Sequence, residues 1–249
     1  MPFTLAHPAI VLPFGYLPRK WISMTALVFG SLMPDAESYI RTYALKEVTH
    51  SWIGFFLFGL PLGLFLTFVF HNVVRNQLIN NLPLFLYQRF SRFKEFDWNK
   101  RFLKDWPVVL LSMILGGVSH FFWDGFSHFD SLLLTSHPRL RGNIHLFDNE
   151  LEIPYLIQYV STFLGIAFIL GFVQLMPRVK HPRNQPVSAK FWILVLLVSA
   201  IILIPRRIKM RVNTLDDMLV AILSALAFGV ILASLLINSK SRSATPWKS

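Results

Sequence analysis

The chain has no cysteine among its 249 residues. Disulfides and thiolate metal sites are therefore excluded, and any bound metal must use imidazole and oxygen ligands. Charge is scarce as well: Asp, Glu, Lys and Arg make up 15% of the residues against 54% hydrophobic, with a mean hydropathy of +0.51. A soluble domain of this length would need a more polar surface, so a soluble all-helical protein is the weaker alternative. Acids are the scarcer sign, 13 against 24 Lys and Arg, for a formal charge of +11. That excess does not point to nucleic acid, because the basic residues sit in short stretches beside apolar runs, where lipid and topology account for them.

Long apolar blocks are what the sequence does have. Ile53 to Phe70 reads as a first spanning helix, with Pro61 and three glycines as sources of a kink. Further spans are expected over Pro107–Phe126, Tyr155–Met176, the short Phe191–Pro205 and Asp217–Ile237. Trp21 to Met33 is apolar but too short to cross, and Pro34 stops it, so it is expected as a re-entrant or interfacial helix. The fold expectation is all-α: a polytopic membrane helical bundle of about five spans plus that N-terminal helix. It forms a single embedded domain over residues 1–237, followed by a polar cytoplasmic tail over 238–249. The beginning, MPFTLAHPAIVLPFG, has no basic n-region and is broken by prolines, so no cleaved signal peptide is expected and His7 should persist.

Charge orients these spans. Val73–Trp106 carries seven Lys or Arg against three acids, in an aromatic-basic mixture suited to a membrane surface. Pro177–Lys190 and the tail are also basic and fall on the same side, whereas Ser127–Pro154 has four acids against two Arg and falls on the other. The positive-inside rule then places the basic set in the cytoplasm of an inner membrane. The Arg206–Asp217 loop, with four basic residues, runs against this order.

Within this frame SHFFWDGFSH puts His120, Asp124 and His128 four residues apart, on one helical face with roughly 6 Å of rise between neighbours. A carboxylate at such depth needs a metal, a partner charge or a water-filled cavity. His50 precedes the first span and His120 and Asp124 end the antiparallel second, so all three reach the same, extracytoplasmic side. His7 and Asp35 belong to the same outer segment. His71, twenty-one residues after His50, would lie roughly 31 Å away along a continuous helix and is left out of the site. Imidazoles with carboxylates suit zinc, with manganese or iron as alternatives, as one ion or as two if Asp35 or Asp124 bridges. Asp216 and Asp217 suit the positive end of the last helix.

Several of these motifs, in order, carry a resemblance: PFTLAHPAIVLP, GSLMPD, THSWIG, FGLPLG, FHNVVRNQL and GGVSHFFWDGFSH. Over residues 1–176 the chain resembles a family of bacterial multi-pass membrane proteins known only as a domain of unknown function, and that label implies no reaction. More distantly, the order His, Asp, THS, SHxxxD is similar to inner-membrane metal-dependent hydrolases near zinc-dependent phospholipase C and the S1/P1 nucleases. By that similarity His7, Asp35, His50, His120 and Asp124 correspond to metal positions. KEVTHS departs from the pattern, offering Lys46 and Glu47 where a histidine is expected.

The functional expectation is a membrane-embedded, metal-dependent hydrolase of a phosphoester, with a phospholipid or other lipid-linked phosphate as partner. Metal ligands are expected among His7, Asp35, His50, His120, Asp124 and His128. Asp35, Glu47 and Asp124 are the candidates for orienting the nucleophile. The alternative is a non-enzymatic structural or transport protein with a structural metal or a His/Asp proton relay. Oligomeric state is not legible in the sequence.

Overall fold

The computed structural model describes residues 4–44, 47–126, 132–146, 149–179, 183, 186–209 and 214–243. A single tight turn, Thr4–Ala6, leads into α1 (Pro8–Val11), α2 (Met24–Leu32) and α3 (Ala36–Arg41). Then come α4 (Trp52–Asn81), α5 (Leu84–Phe90), α6 (Trp98–Asp124) and α7 (Leu132–Ser136). A two-stranded antiparallel hairpin, β1 (Asn143–Leu146) with β2 (Asn149–Glu152), precedes α8 (Ile153–Leu175), α9 (Ala189–Lys209) and α10 (Leu215–Ser243). Among the described residues the fold is thus all-α apart from one short hairpin. Among the described residues four helices are long and apolar enough to cross a membrane, within α4, α6, α8 and α10; α9 carries a shorter apolar stretch, Ala189–Pro205. This is the make-up of a polytopic membrane bundle.

Helices outrun the apolar blocks. α4 continues past Phe70 to Asn81, through wider π-helical turns at Phe55–Gly59 and Phe70–Val74. The basic stretch expected as a surface loop is largely helical, interrupted at Pro83, the residue just before the separate helix α5. α6 starts at Trp98, with the Asp97 carboxylate accepting the Lys100 backbone N–H at 3.0 Å as an N-cap. That hydrogen bond holds the Asp97 carboxyl below its ordinary range. The apolar part of α6 is set off by a kink at Asp105 (φ −129°, ψ 35°), two residues before Pro107. Proline cannot donate to the preceding turn and crowds the backbone before it, so the axis breaks there. Hydropathy detects where a helix is apolar; backbone hydrogen bonding continues where it is not.

Contacts divide the chain into two compact units: residues 1–36, 48–64 and 102–176 form the first, and 37–47, 65–101 and 177–249 the second. In the first, α2 crosses α6 at glycines. A Cβ on Gly30 would collide with the Met113 backbone, and one on Gly116 with the backbone of Leu27, Gly30 and Ser31. Next to it Gly117 makes room for the buried ring of Phe55 from α4. Gly165 of α8 takes Ala6 the same way. Small residues bring these backbones together, as is usual where helices meet in lipid.

In the second unit α9 and α10 pack through Phe191, Val195 and Ala233. Gly229 abuts the Val195 carbonyl, and Ser199 Oγ donates to Ala225 O at 3.0 Å. Asn81 ties α9 down: its Oδ1 accepts from Ser188 N at 2.8 Å and its carbonyl from Trp192 Nε1 at 3.0 Å. Thr214 and Asp217 cap α10 reciprocally, with Asp217 N donating to Thr214 Oγ1 and that hydroxyl to Asp217 Oδ2, both at 3.1 Å.

Because the neighbours of Gly30 and Gly116 are backbone that cannot give way, Gly30→Ala and Gly116→Ala should each cost about 1–3 kcal/mol by overpacking. Gly171 has open space around it, so Gly171→Ala should be neutral or slightly stabilising, as expected of alanine in a helix. Thermal unfolding of the detergent-solubilised protein checks the contrast.

Candidate metal centre

Four local structures present the site residues. In the first, Ala6 packs under Gly165, His7 follows, and Pro8 opens α1 at a position needing no N–H. In the second, α2 ends in the tight turn Met33–Asp35, which places Asp35 at its end, fully buried. In the third, each residue of Thr49-His50-Ser51 has its own task. Thr49 Oγ1 donates to Pro34 O at 2.8 Å, fastening this loop to the Asp35 turn. Ser51 caps α4, accepting from Gly54 N at 3.0 Å. His50 stands between them. The last turns of α6 then supply His120 and Asp124.

The crossing at Gly30 and Gly116 fixes His120: its Nδ1 donates to the Ser31 carbonyl at 2.8 Å. His7 Nδ1 likewise donates to Thr4 O at 3.2 Å. A carbonyl only accepts, so in both rings Nδ1 carries a proton, and in the neutral imidazole Nε2 is then the lone-pair nitrogen. These Nε2 atoms face carboxylates. His7 Nε2 is 3.1 Å from Asp124 Oδ1, and His50 Nε2 is 2.9 Å from Asp124 Oδ2 and 3.8 Å from Asp35 Oδ1. His120 Nε2 lies 3.3 Å from Asp124 Oδ2 and 3.6 Å from Asp35 Oδ1, and it is buried without a hydrogen bond of its own among the described residues. The His7 and His120 rings stack at 3.9 Å. Asp35 Oδ2 accepts from Thr4 Oγ1 at 2.5 Å.

Three imidazoles and two carboxylates thus converge with more acceptors than donors. His7, Asp35 and His120 have no exposure and Asp124 has 3%, so water cannot relieve the repulsion. A cation or extra protons must. Among the described residues two groups have donor atoms close enough together for an ion, His7–Asp35–His120 and His50–His120–Asp124. They share His120, whose Nε2 has one lone pair and serves one ion at a time. Asp124 has the form of a bridge between two ions, one oxygen toward His7 and the other toward His50. Nδ1 held by a backbone carbonyl is the outer-shell arrangement that orients metal-binding histidines. His50 is the half-open member, with 16% of its side chain exposed.

Of the residues singled out from the sequence, the structure gathers His7, Asp35, His50, His120 and Asp124. His128 lies outside the described residues. Glu47 is exposed and belongs to neither group. His71 is engaged in the second unit: its ring stacks on Trp98 at 4.7 Å, and its Nδ1 accepts from Arg75 Nη1 at 3.0 Å.

A family model described as a domain of unknown function, DUF4184, matches residues 1–237. The chain belongs to the DUF4184 family. The match includes every residue of the cluster, so the centre lies within the DUF4184 domain. No curated protein and no solved structure matches the chain.

Sequence reasoning missed Thr4, whose hydroxyl holds Asp35, and Thr49, which pins the His50 loop. The available signal was hydroxyl residues close before His7 and His50. Their partners lie 31 and 15 residues away and carry no local mark. If the cluster holds a divalent metal, Thr4→Val is expected to weaken its affinity about 10–100-fold, as loss of a group that orients a ligand does. His120→Ala should abolish binding and His71→Ala leave stoichiometry unchanged, each read by elemental analysis of the folded protein.

Proposed function

We propose that this protein is a membrane-embedded, metal-dependent phosphoester hydrolase whose substrate is a phospholipid or another lipid-linked phosphate. The observation that carries it is the convergence of His7, His50, His120, Asp35 and Asp124, with His50 the one partly open member. Zinc, manganese or iron suits such a donor set. A bound ion would supply Lewis acidity toward the phosphoryl oxygens and a lowered pKa for a coordinated water.

The chain's own residues supply position and proton transfer. Thr4 holds the Asp35 carboxylate so that Oδ1 faces the cluster. In the proposed step, water oxygen bonds to phosphorus as the bond to the leaving alkoxyl oxygen breaks. A cluster carboxylate takes the water proton and the leaving oxygen is protonated in turn. Asp35 and Asp124 are the groups placed for this; Glu47, exposed and outside both groups, is given no role. The order of His, Asp, THS and SHxxxD motifs, similar to that of inner-membrane hydrolases near phospholipase C, supports phosphoester chemistry. The acidic 127–154 segment and the basic loops support an inner-membrane protein with its site toward the extracytoplasmic leaflet.

One observation favours a second reading, a structural ion. The complete burial of His7, Asp35 and His120 is what a closed shell tying the N-terminal segment to α6 would show.

The two readings part in one experiment. Purified protein, stripped with chelator and reloaded with zinc or manganese, is assayed for release of phosphorylated headgroup or phosphate from phospholipid vesicles. Metal-dependent release that falls at least about a hundredfold in Asp124→Asn is the result expected for the hydrolase. Stoichiometric metal without release, with a melting temperature that drops on chelation, would establish the structural ion instead.

A further inference from the structure

An apolar cleft of about 350 Å³ opens beside the cluster, lined by Ile10, Phe122, Trp123, Phe126, Ile157 and Ser161. All six belong to the first unit, in α1, the end of α6 and the turn after it, and the first turns of α8. Two features of its surroundings say what fills it. First, α8 is the least covered long helix: 11% of its apolar window is buried within the protein, against 28–33% for the other three. Phe163, Tyr159 and Leu164 stand more than half exposed along it, and for a spanning helix the medium that covers such a surface is hydrocarbon. Second, Trp123 belongs to both sites. It lines the cleft, its ring lies 5.7 Å from that of His7, and it directly precedes Asp124 in the chain. A ligand in the cleft therefore lies beside the metal ligands at the same level of α6.

The volume is within the usual range for small-ligand pockets. Its exposed lining is apolar, so it offers nothing to a charged headgroup. Polar recognition belongs to the neighbouring cluster. We propose that this cleft holds one acyl chain of a membrane lipid, with the lipid's phosphate directed to the cluster across Trp123. The assignment of the phosphate rests on the hydrolase reading above.

The test is photo-labelling of full-length, metal-loaded protein in phosphatidylethanolamine–phosphatidylglycerol vesicles containing a trace of phospholipid with a diazirine in one acyl chain. Labelled peptides are mapped by mass spectrometry. Saturable labelling at Phe122, Trp123 and Ile157 is expected, lost several-fold in Ser161→Trp, which fills the cleft. Exposed α9 positions such as Leu196 and Ile201 should label in simple proportion to probe and equally in both proteins. Retained metal content reports that Ser161→Trp has folded, and Ile157→Trp is the second variant if it has not. Labelling that never saturates, or that is the same in wild type and filled variants, would mean ordinary surrounding lipid and overturn the cleft. The label does not depend on turnover. Saturable, Ser161-sensitive labelling in a protein that cleaves no phosphoester would keep the acyl site and remove the hydrolase. Phosphoester cleavage with unsaturable labelling would do the reverse.

Discussion

The centre depends on how closely two backbones approach at Gly30 and Gly116. Only without side chains at those positions can α2 reach α6, and the carbonyl that receives His120 Nδ1 belongs to Ser31, the residue after Gly30. The same α2 ends at Leu32, the next residue, and runs directly into the turn that delivers Asp35. A displacement of α2 by the width of one methyl group would move both the support of one ligand and the position of another. Packing and chemistry are therefore one constraint here. The glycines of GSLMPD and GGVSH act on the cluster without touching it.

What this approach assembles is an electrostatic excess. Three imidazoles and two carboxylates crowd into a space that is buried at every member but His50, and neither hydrogen bonding nor packing alone offsets that. Outer contacts to Thr4, Ser31 and Thr49 all hold the ligands or their supporting loops while leaving the facing atoms directed inward. Such an arrangement stores its capacity for binding in the fold: the groups are ordered by contacts made elsewhere, so an ion need not organise them.

Much of this was legible in the sequence, and its limits have physical causes. Long apolar runs reveal spans because hydrocarbon tolerates nothing else, and the alternating direction of those spans brings His50 to the end of α6 that bears His120 and Asp124. The four-residue spacing of His120 and Asp124 reveals a shared face for the same reason of geometry. Hydropathy could not show α4 continuing to Asn81 or α6 beginning at Trp98, because those turns are helical yet polar. Nor could it show the partners of His7 and His120: a backbone carbonyl has no residue type, so Ser31 O and Thr4 O leave no trace in composition. Glu47 sits three residues before His50 in the chain, yet its side chain is exposed and outside both donor groups.

The ligands also come together across long stretches of chain. His7 meets Asp124 from 117 residues away, and Thr4 meets Asp35 from 31. At roughly 5–20 residues per second of synthesis, the first histidine waits on the order of ten seconds for its carboxylate. During that interval the imidazoles are displayed singly, each a weak and unselective ligand. The donor set that could select an ion is complete only when α6 is in place, so any loading would be a late step in biogenesis and an internal record that the first unit has closed.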